Sequence, residues 1–409
     1  MSKIIVIGGG ASGLVSAIFA KNTNNEVIIL EKNNIAGKKI LITGNGKCNY
    51  FNEDFTINHY RSTNIKILSN IINNENKNKV LELFNNIGIL PKIKNGYYYP
   101  NSNQAITIRE SLVKECLLKG IEIKYNTIVE NIEYNNNKFK ITTTNNTYTC
   151  DKLIISTGSK SAPNTGSDGF SYQMLPKFNH TIIKPLPALT PLNCEGNFFK
   201  DISGVRTDAG ITMMENNNII SKETGELQIT NTGISGICVF QLSGRIIRSI
   251  ENNNKVEVSI NFLPELNLNN TKEVVNFLNN RNNIVKNRTI SELLDGLLNY
   301  KLVNLFLKLS KINRDTNWNN LTKEEKEKLS KYLYSFKLKI QNSYSFDKSQ
   351  VTSGGIPLTE ININTMESLK QKNLYLTGEL LDVDGDCGGY NLAFAWLSGI
   401  IAGSNAKGE

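Results

Sequence analysis

The sequence predicts an α/β fold built on a parallel sheet, and three features of its first 31 residues carry that prediction. The apolar run 3–7 has the composition of a buried parallel strand. The glycine-rich run 8–13 turns this strand directly into a helix, which is predicted to continue over 14–21. A second apolar run, 26–30, is predicted to be a neighbouring strand, and it ends at an acid, Glu31.

Each glycine of this turn has a separate physical task in an adenine-dinucleotide site. Gly8 permits a tight turn, Gly10 lets the backbone approach a pyrophosphate, and Gly13 allows the helix to pack closely on the strand. The helix N-terminus offers free N–H groups and the positive end of its dipole to the phosphates. Glu31 is expected to accept hydrogen bonds from the ribose hydroxyls. Strand, glycines, helix, second strand and acid occur in register, which predicts a dinucleotide site.

The apolar N-terminal stretch could also be a signal peptide or a membrane helix. A signal peptide needs an unbroken apolar core, whereas residues 3–20 contain four glycines and two serines. No other apolar run has the length needed to span a bilayer. We therefore expect a soluble, cytoplasmic protein with no membrane partner.

Composition limits the remaining classes of function. The length of 409 residues predicts two or three domains. Runs of asparagine at 135–137, 216–218 and 252–254 predict turns and loop tips. The net charge of +9 invites a nucleic-acid partner, but the lysines are dispersed among acids, as in 323–328, so we expect none. Six cysteines without a Cys-x-x-Cys pair and only two histidines predict no metal site and no dithiol chemistry, which leaves the chemistry to a cofactor.

The next segments predict a FAD-type dinucleotide domain. Residues 37–49 are rich in glycine, free of acids and predicted to be irregular. A helix-prone region at 65–87 and a helix at 105–119 are predicted next. Four short strands are predicted to follow at 121–125, 127–134, 138–143 and 147–150, and then an apolar strand at 152–156 that ends in Thr157-Gly158. Two opening strands, then a β-meander, then a strand ending in Thr-Gly are typical of FAD domains. A plain NAD dehydrogenase would instead keep alternating strand and helix.

The middle of the chain interrupts this domain. Short strands with Gly and Asn turns predict a β-rich inserted domain at 187–264 and 333–344, and apolar residues at helical spacing predict a small helical subdomain at 265–332. The chain then returns to the discontinuous FAD-binding domain, formed by 1–186 and 345–409. Here a last strand, a glycine-rich turn and a helix over 392–402 form a second element facing the cofactor, whose helix dipole is suited to stabilise a reduced flavin.

With both ends described, the chain resembles the bacterial and archaeal flavoproteins known as BaiN/YhiN-like NAD(P)/FAD-dependent oxidoreductases, also called aminoacetone oxidase family FAD-binding enzymes. The resemblance covers nearly the whole length, and its most specific motifs lie at 37–49, 225–236, 352–355 and 378–391. Members usually carry Arg where this chain has Lys38 and Lys47, and lysine lacks the bidentate fork of arginine. The resemblance implies a glutathione-reductase type, Rossmann-like FAD domain with inserted β and helical parts.

The resemblance and the motifs together nominate the site residues. The expected cofactor-binding residues are Gly8, Gly10, Ala11, Ser12, Gly13, Glu31, Lys32, Lys39, Gly44, Gly46, Cys48, Asn49, Val129, Thr157, Gly158, Gly378, Glu379, Asp386, Gly388, Gly389, Tyr390, Asn391 and Leu392. Asp384, Asp386 and Tyr390 are weak candidates for proton transfer, because each also fits a turn or capping role.

The expected function is hydride transfer through flavin N5. The resemblance implies reduction of a small unsaturated or oxo substrate, such as a bile-acid enone, with NADH or NADPH as a transient co-substrate, since the sequence holds no second dinucleotide motif. Three alternatives stay open, namely an amine-type oxidase reoxidised by oxygen, a flavin-binding protein without turnover, and a tRNA-modifying flavoprotein. The oligomeric state is left open.

Overall fold

The computed structural model describes residues 2–408 and separates into two compact units. One unit contains the residues up to 186 together with those from 349 onward, and the other contains residues 187–348. The predicted β-rich and helical parts of the insertion lie in the same compact unit. The finer boundaries at 264/265 and 332/333 therefore stay a prediction.

The elements are numbered in chain order within the described residues. The strands β1 to β23 are Ser2–Ile7, Asn25–Leu30, Phe51–Asn52, Tyr60–Arg61, Pro91–Lys94, Tyr97–Pro100, Glu122–Lys124, Val129–Asn135, Lys138–Thr143, Thr147–Cys150, Lys152–Ile155, Ile183–Ala188, Leu192–Cys194, Arg206–Glu215, Asn218–Ile229, Gly233–Ser235, Val256–Asn261, Phe336–Ser343, Val351–Gly355, Ile361–Asn362, Glu367–Ser368, Leu374–Leu376 and Asp384–Gly385. The helices α1 to α12 are Ala11–Ala20, Ile65–Leu68, Asn74–Asn86, Ala105–Leu118, Ser171–Met174, Phe199–Ile202, Ile237–Glu251, Thr271–Ile284, Ile290–Asp295, Tyr300–Ser310, Lys323–Tyr334 and Tyr390–Ala406.

The first unit is built on a seven-stranded sheet in the order β20-β21-β22-β11-β1-β2-β7. The strands from β22 to β7 pair in parallel, and the short strands β20 and β21 add an antiparallel edge. Strands β22, β11, β1 and β2 are apolar over most of their length because both faces of the sheet are covered. The meander β8-β9-β10 forms a separate antiparallel sheet, at the place in the chain where it was expected.

Helices α1 and α12 lie against each other along their glycine and serine faces. A side chain at Gly399 would stand 2.7 Å from the carbonyl oxygen of Ser12, and one at Gly403 would stand 2.3 Å from that of Ser16. Both contacts advance by four residues in the same direction, so the two helices run parallel. Gly399 is the tenth residue of α12 and Ser12 the second of α1, so α12 begins about 12 Å before α1 along the shared direction.

Two predictions of secondary structure are wrong in detail. The segment predicted to be irregular at 37–49 contains a 3₁₀ helix, Ile40–Gly46, which is kinked at 43–45. Residues 44, 45, 46 and 48 all adopt positive φ, and this left-handed stretch hid the helical turns from a periodicity argument. The last helix starts at Tyr390 and ends at Ala406 and is thus longer than the predicted 392–402, since the glycine-rich turn ends at its N-cap, Gly389.

The second unit contains a closed barrel of six strands in the order β13-β16-β15-β14-β17-β18. The segment 187–264, predicted to be β-rich, also contains a helix that was not predicted, the 15-residue α7. Its buried face carries Val239, Leu242, Ile246 and Ile247 at helical spacing, which a search for alternation missed. Helices α8 to α11 lie in the segment predicted to be helical.

The asparagine runs form turns, as expected from their composition. Asn136, Asn137, Asn216, Asn217 and Asn253 all adopt positive φ. Asparagine tolerates this left-handed conformation better than other residues with a side chain, because its short amide hydrogen-bonds the local backbone. Across residues 2–408, no helix combines the length and the apolar character that crossing a membrane requires.

Candidate functional site

The candidate site is a cavity of about 410 Å³ within the first unit. It lies at the carboxyl ends of β1, β2 and β11, the edge at which open parallel sheets bind ligands. The first turns of α1 and α12 both line it. Neither helix has a side-chain cap or an acidic residue in its first turn, so both present free N–H groups at their N-termini.

Gly8, Gly10 and Gly13 of the first turn each have a different structural role. Gly8 has φ +97°, and a side chain there would stand 2.6 Å from the carbonyl oxygen of Ser156. A side chain on Gly13 would stand 1.9 Å from the carbonyl oxygen of Gly8, so this glycine is needed for packing. Around Gly10 the nearest such atom is 4.0 Å away, and the residue lines the cavity. The missing side chain of Gly10 therefore leaves room for a ligand rather than for the protein.

Glu31 is buried at the end of β2 and lines the same cavity. Its Oε2 accepts a hydrogen bond from the Gly9 N–H at 2.7 Å. Its Oε1 accepts two more from Asn33, at 2.8 Å from the backbone N–H and 2.7 Å from the side-chain amide. A carboxylate has about four acceptor positions, so these bonds hold the group while capacity for a ligand hydroxyl is left.

Glu379, one of the expected cofactor-binding residues, is held by the protein itself. Its Oε2 accepts a hydrogen bond from Lys39 Nζ at 2.7 Å, and its Oε1 accepts one from the Thr352 N–H at 2.9 Å. Lys39 Nζ also donates to the carbonyl oxygen of Ser161 at 3.2 Å. Both Lys39 and Glu379 line the cavity, and their ion pair with its further hydrogen bonds joins four separate segments of the chain, at positions 39, 161, 352 and 379.

A run of hydroxyl side chains after β11 forms the wall nearest the sheet. Ser156 Oγ is 2.7 Å from Thr377 Oγ1, and Thr157 Oγ1 is 2.7 Å from Ser171 Oγ. Further along, Ser161 Oγ is 2.7 Å from Thr352 Oγ1. Because Ser156, Ser161 and Thr352 are buried, these bonds fix the backbone at 156–161 to three other segments.

The structure brings 13 of the 23 nominated cofactor-binding residues to the cavity wall. They are Gly8, Gly10, Ala11, Ser12, Glu31, Lys32, Lys39, Val129, Thr157, Gly158, Glu379, Asn391 and Leu392. Ten do not line it, and these are Gly13, Gly44, Gly46, Cys48, Asn49, Gly378, Asp386, Gly388, Gly389 and Tyr390. The role of each in binding a cofactor stays a prediction.

Several residues outside the wall support it from behind. Asn49 lies beside Gly389, because a side chain on Gly389 would stand 2.9 Å from Asn49 Oδ1. That oxygen is buried and has no hydrogen-bond partner among the described residues. A side chain on Gly378 would stand 2.7 Å from Ser12 Oγ. Gly389 thus permits close approach of its segment to Asn49, and Gly378 permits close approach of its segment to helix α1.

The candidates for proton transfer lie next to the start of α12. The Asp386 carboxylate contacts Arg61 Nη2 and lies 3.0 Å from His59 Nδ1, so both of its oxygens are engaged by side chains of the protein. Burial, with nearby carboxylates, raises the pKa of the Tyr390 hydroxyl well above its usual value. Asp384 is buried in the pair of β23 with β4.

The two cysteines near this loop are not reactive thiolates. Burial raises the pKa of the Cys48 thiol to about 12, and it does the same for Cys387. Both thiols therefore stay protonated at neutral pH, whereas a nucleophilic cysteine has to be ionised to the thiolate. Thiol chemistry is not indicated at this site.

Sequence analysis missed several residues of the wall. They include Asn33, Thr43, Thr127, Asp168, Phe170, Gln350, Val351, Val383 and Phe394. One signal was available, because Gln350 and Val351 directly precede the 352–355 motif.

The residues present fit FAD. The open space at Gly10 beside the uncapped start of α1 suits a pyrophosphate, which needs N–H donors and no side chain in the way. The start of α12 lies about 12 Å before the start of α1 along the helix direction and lines the same cavity, so an extended dinucleotide can meet both helix ends.

The fold and this site define a class of protein, the FAD-dependent oxidoreductases with a Rossmann-like cofactor domain. Within that class, a family model described as the HI0933-like protein Rossmann domain matches residues 2–405, and the chain belongs to this family. It is 36% identical over 408 residues to a 3-dehydro-bile acid delta(4,6)-reductase of Clostridium scindens, covering 99% of both chains.

Two further comparisons show the range of the similarity. A ribosomal RNA dihydrouridine synthase of Escherichia coli is 27% identical over 404 residues, covering 96% of this chain and 95% of that protein. Among solved structures, an open flavocytochrome c3 fumarate reductase gives a TM-score of 0.50 at 14% identity, over 99% of this chain and 78% of that one. That likeness concerns the fold alone.

Proposed function

We propose that this protein reduces a carbon–carbon double bond conjugated to a carbonyl group, using FAD and a nicotinamide as transient reductant. The observation that carries the proposal is the 36% identity to a 3-dehydro-bile acid delta(4,6)-reductase, which extends over 99% of both chains. The substrate we propose is a small apolar enone, such as a steroid-like oxo acid.

The chemistry of such a substrate sets the demands on the site. Two electrons must reach the end of the conjugated system that is remote from the carbonyl, and a proton must reach the carbon beside it. The nicotinamide is oxidised in the same cycle, so electrons balance. Bound FAD supplies the hydride transfer, through N5.

The chain's own residues bind and orient the cofactor in this proposal. The N–H groups at the start of α1 hold the pyrophosphate in the space beside Gly10, and Glu31 accepts hydrogen bonds from the ribose hydroxyls. The start of α12 faces the pyrimidine end, where its dipole stabilises the negative charge that reduction brings. The pair formed by Lys39 and Glu379 keeps the wall between these two ends in place.

A second candidate substrate is the uracil ring of an RNA. A dihydrouridine differs from uridine by reduction of a ring double bond that is conjugated to a carbonyl, so the bond chemistry is the same. The observation that favours this candidate is the Escherichia coli relative, matched over 96% of this chain. The expected absence of a nucleic-acid partner consequently stays a prediction.

An anaerobic titration of the FAD-loaded protein with NADH and then NADPH tests the proposal. We expect one nicotinamide to bleach the visible flavin band within seconds, and a 3-oxo-4,6-diene steroid acid to restore it without oxygen. Restoration by a uridine-containing RNA but not by the steroid would select the second candidate. A flavin that neither nicotinamide reduces would contradict both candidates and favour an oxidase or a binding protein without turnover.

A further inference from the structure

The pocket-facing start of α12 is held by a network of charged side chains that lies outside the cavity. Asn391 lines the cavity, and its side chain bonds Gly385 in both directions at 2.8 Å. Segment 384–385 pairs with segment 60–61 as a short antiparallel ladder. The position of Asn391 is therefore coupled to the segment that precedes it and to strand β4.

His59 connects to this segment through both its backbone and its ring. Its carbonyl oxygen accepts a hydrogen bond from the Asp386 N–H at 2.9 Å. Its Nδ1 lies 3.0 Å from Asp386 Oδ2, and its Nε2 lies 2.9 Å from Asp54 Oδ2. The ring also stacks on Tyr390, the first residue of α12, with centroids 4.3 Å apart and planes 15° apart.

Two carboxylates on one imidazole need two N–H donors. An ionised carboxylate only accepts, and a neutral imidazole carries a single N–H, so both contacts are satisfied together only when His59 is an imidazolium. The other groups around the ring are the Arg61 guanidinium on Asp386, the Tyr60 hydroxyl bonded to the Tyr390 carbonyl oxygen, and Lys77 near Asp54.

The net electrostatic balance agrees with this geometry. Burial lowers the pKa of His59, but the hydrogen bonds that its ring donates to Asp54 and Asp386, together with the charges of those two carboxylates, raise it by more, and the pKa ends above the usual 6.5. The pKa of His59 is thus higher in the folded state than in the unfolded state. The second hydrogen bond of the imidazolium is therefore fully present below pH 6.5 and is lost as the pH rises through the folded-state pKa.

We propose that protonated His59 is a positioning residue that holds the N-terminal turn of α12 against the cofactor, so that loss of its proton weakens FAD binding. The inference rests on the proposed cofactor site. It assigns the ring no contact with FAD or substrate, because His59 acts through Asp386 and Tyr390.

Titration of the apoprotein with FAD between pH 6 and pH 9, followed by flavin fluorescence, tests this role. We expect the wild-type dissociation constant to rise about tenfold, the size associated with one charge-assisted hydrogen bond. The midpoint should coincide with the pKa of His59 measured by NMR, which is simple because the chain has only two histidines. In His59→Gln the constant should be independent of pH and near the high-pH value of the wild type.

Asp54→Asn is the matched variant, since Asp54 lies on the exposed side of the ring and away from the cavity. It should lower the pKa of His59 and move the midpoint of FAD binding to lower pH by the same amount, with low-pH affinity kept. A purely structural role would not move both together. A wild-type constant that stays flat while His59 titrates, or the same pH profile in His59→Gln, would overturn the proposal. FAD that fails to bind at any pH would instead refute the cofactor site itself, and this inference with it.

Discussion

Gly10→Asp should raise the stability of the apoprotein and abolish FAD binding, and the two effects have opposite signs for one structural reason. Gly10 is the N-cap of α1, with extended φ −79° and ψ −165°, and the helix has no side-chain cap. An N-cap Asp accepts hydrogen bonds from the free N–H groups and complements the helix dipole. The nearest atom to its Cβ would be 4.0 Å away, so the substitution fits without strain.

The magnitudes follow from the groups involved. Replacing Gly by Asp at an N-cap, with the dipole effect, is worth about 0.5–1 kcal/mol. The same carboxylate occupies the N–H groups that the pyrophosphate needs and repels it. Losing two hydrogen bonds from backbone N–H groups to the pyrophosphate, at about 1.5–3 kcal/mol each, weakens FAD binding at least ~100-fold.

Urea unfolding of the apoprotein and a fluorescence titration with FAD measure the two effects. Gly13→Ala is the matched control, because its new Cβ would stand 1.9 Å from the Gly8 carbonyl oxygen and should destabilise the fold itself. If Gly10→Asp retained FAD within tenfold of the wild type, the assignment of this turn to the pyrophosphate would be refuted. A loss of apoprotein stability would refute the N-cap argument.

Three further substitutions test other parts of the first unit. Glu31→Gln removes the charge and one acceptor at the ribose position, so FAD binding should weaken by about tenfold in the same titration, and unchanged affinity would remove Glu31 from the site. Gly403→Ala places a methyl group 2.3 Å from the Ser16 carbonyl oxygen, and overpacking should cost about 1–3 kcal/mol in urea unfolding; an unchanged midpoint would show that α1 and α12 separate freely. His180 is buried with its Nδ1 2.8 Å from Glu360, and burial, opposed by that carboxylate, lowers its pKa. Its folded pKa lies below the unfolded 6.5, so the free energy of unfolding should fall as the pH drops below 6.5, and His180→Gln should weaken that dependence.

The sequence alone was sufficient for the local parts of the fold. The strand, glycine turn, helix and second strand of residues 2–30 appear where they were predicted, because strand composition and helix periodicity are properties of short segments. Glycine is informative for the same reason. The left-handed φ of Gly8 is a local requirement that the residue type announces.

The failures concern irregular backbone and long-range pairing. The turns at 40–46 were hidden because consecutive left-handed residues have no hydrophobic period. Helix α7 was missed because its segment was judged by the alternation of the strands around it.

Which polar groups meet was decided only by the tertiary structure. Lys39 and Glu379 are 340 positions apart, and His59 and Asp386 are 327 apart. No local pattern encodes such a pair, because the sheet order and the parallel packing of α12 on α1 bring the segments together. The sequence thus predicted a strand, a glycine turn and a helix that suit a nucleotide. The fold decided that Glu379 faces a lysine, that two helix ends share one cavity, and that a histidine stands behind one of them.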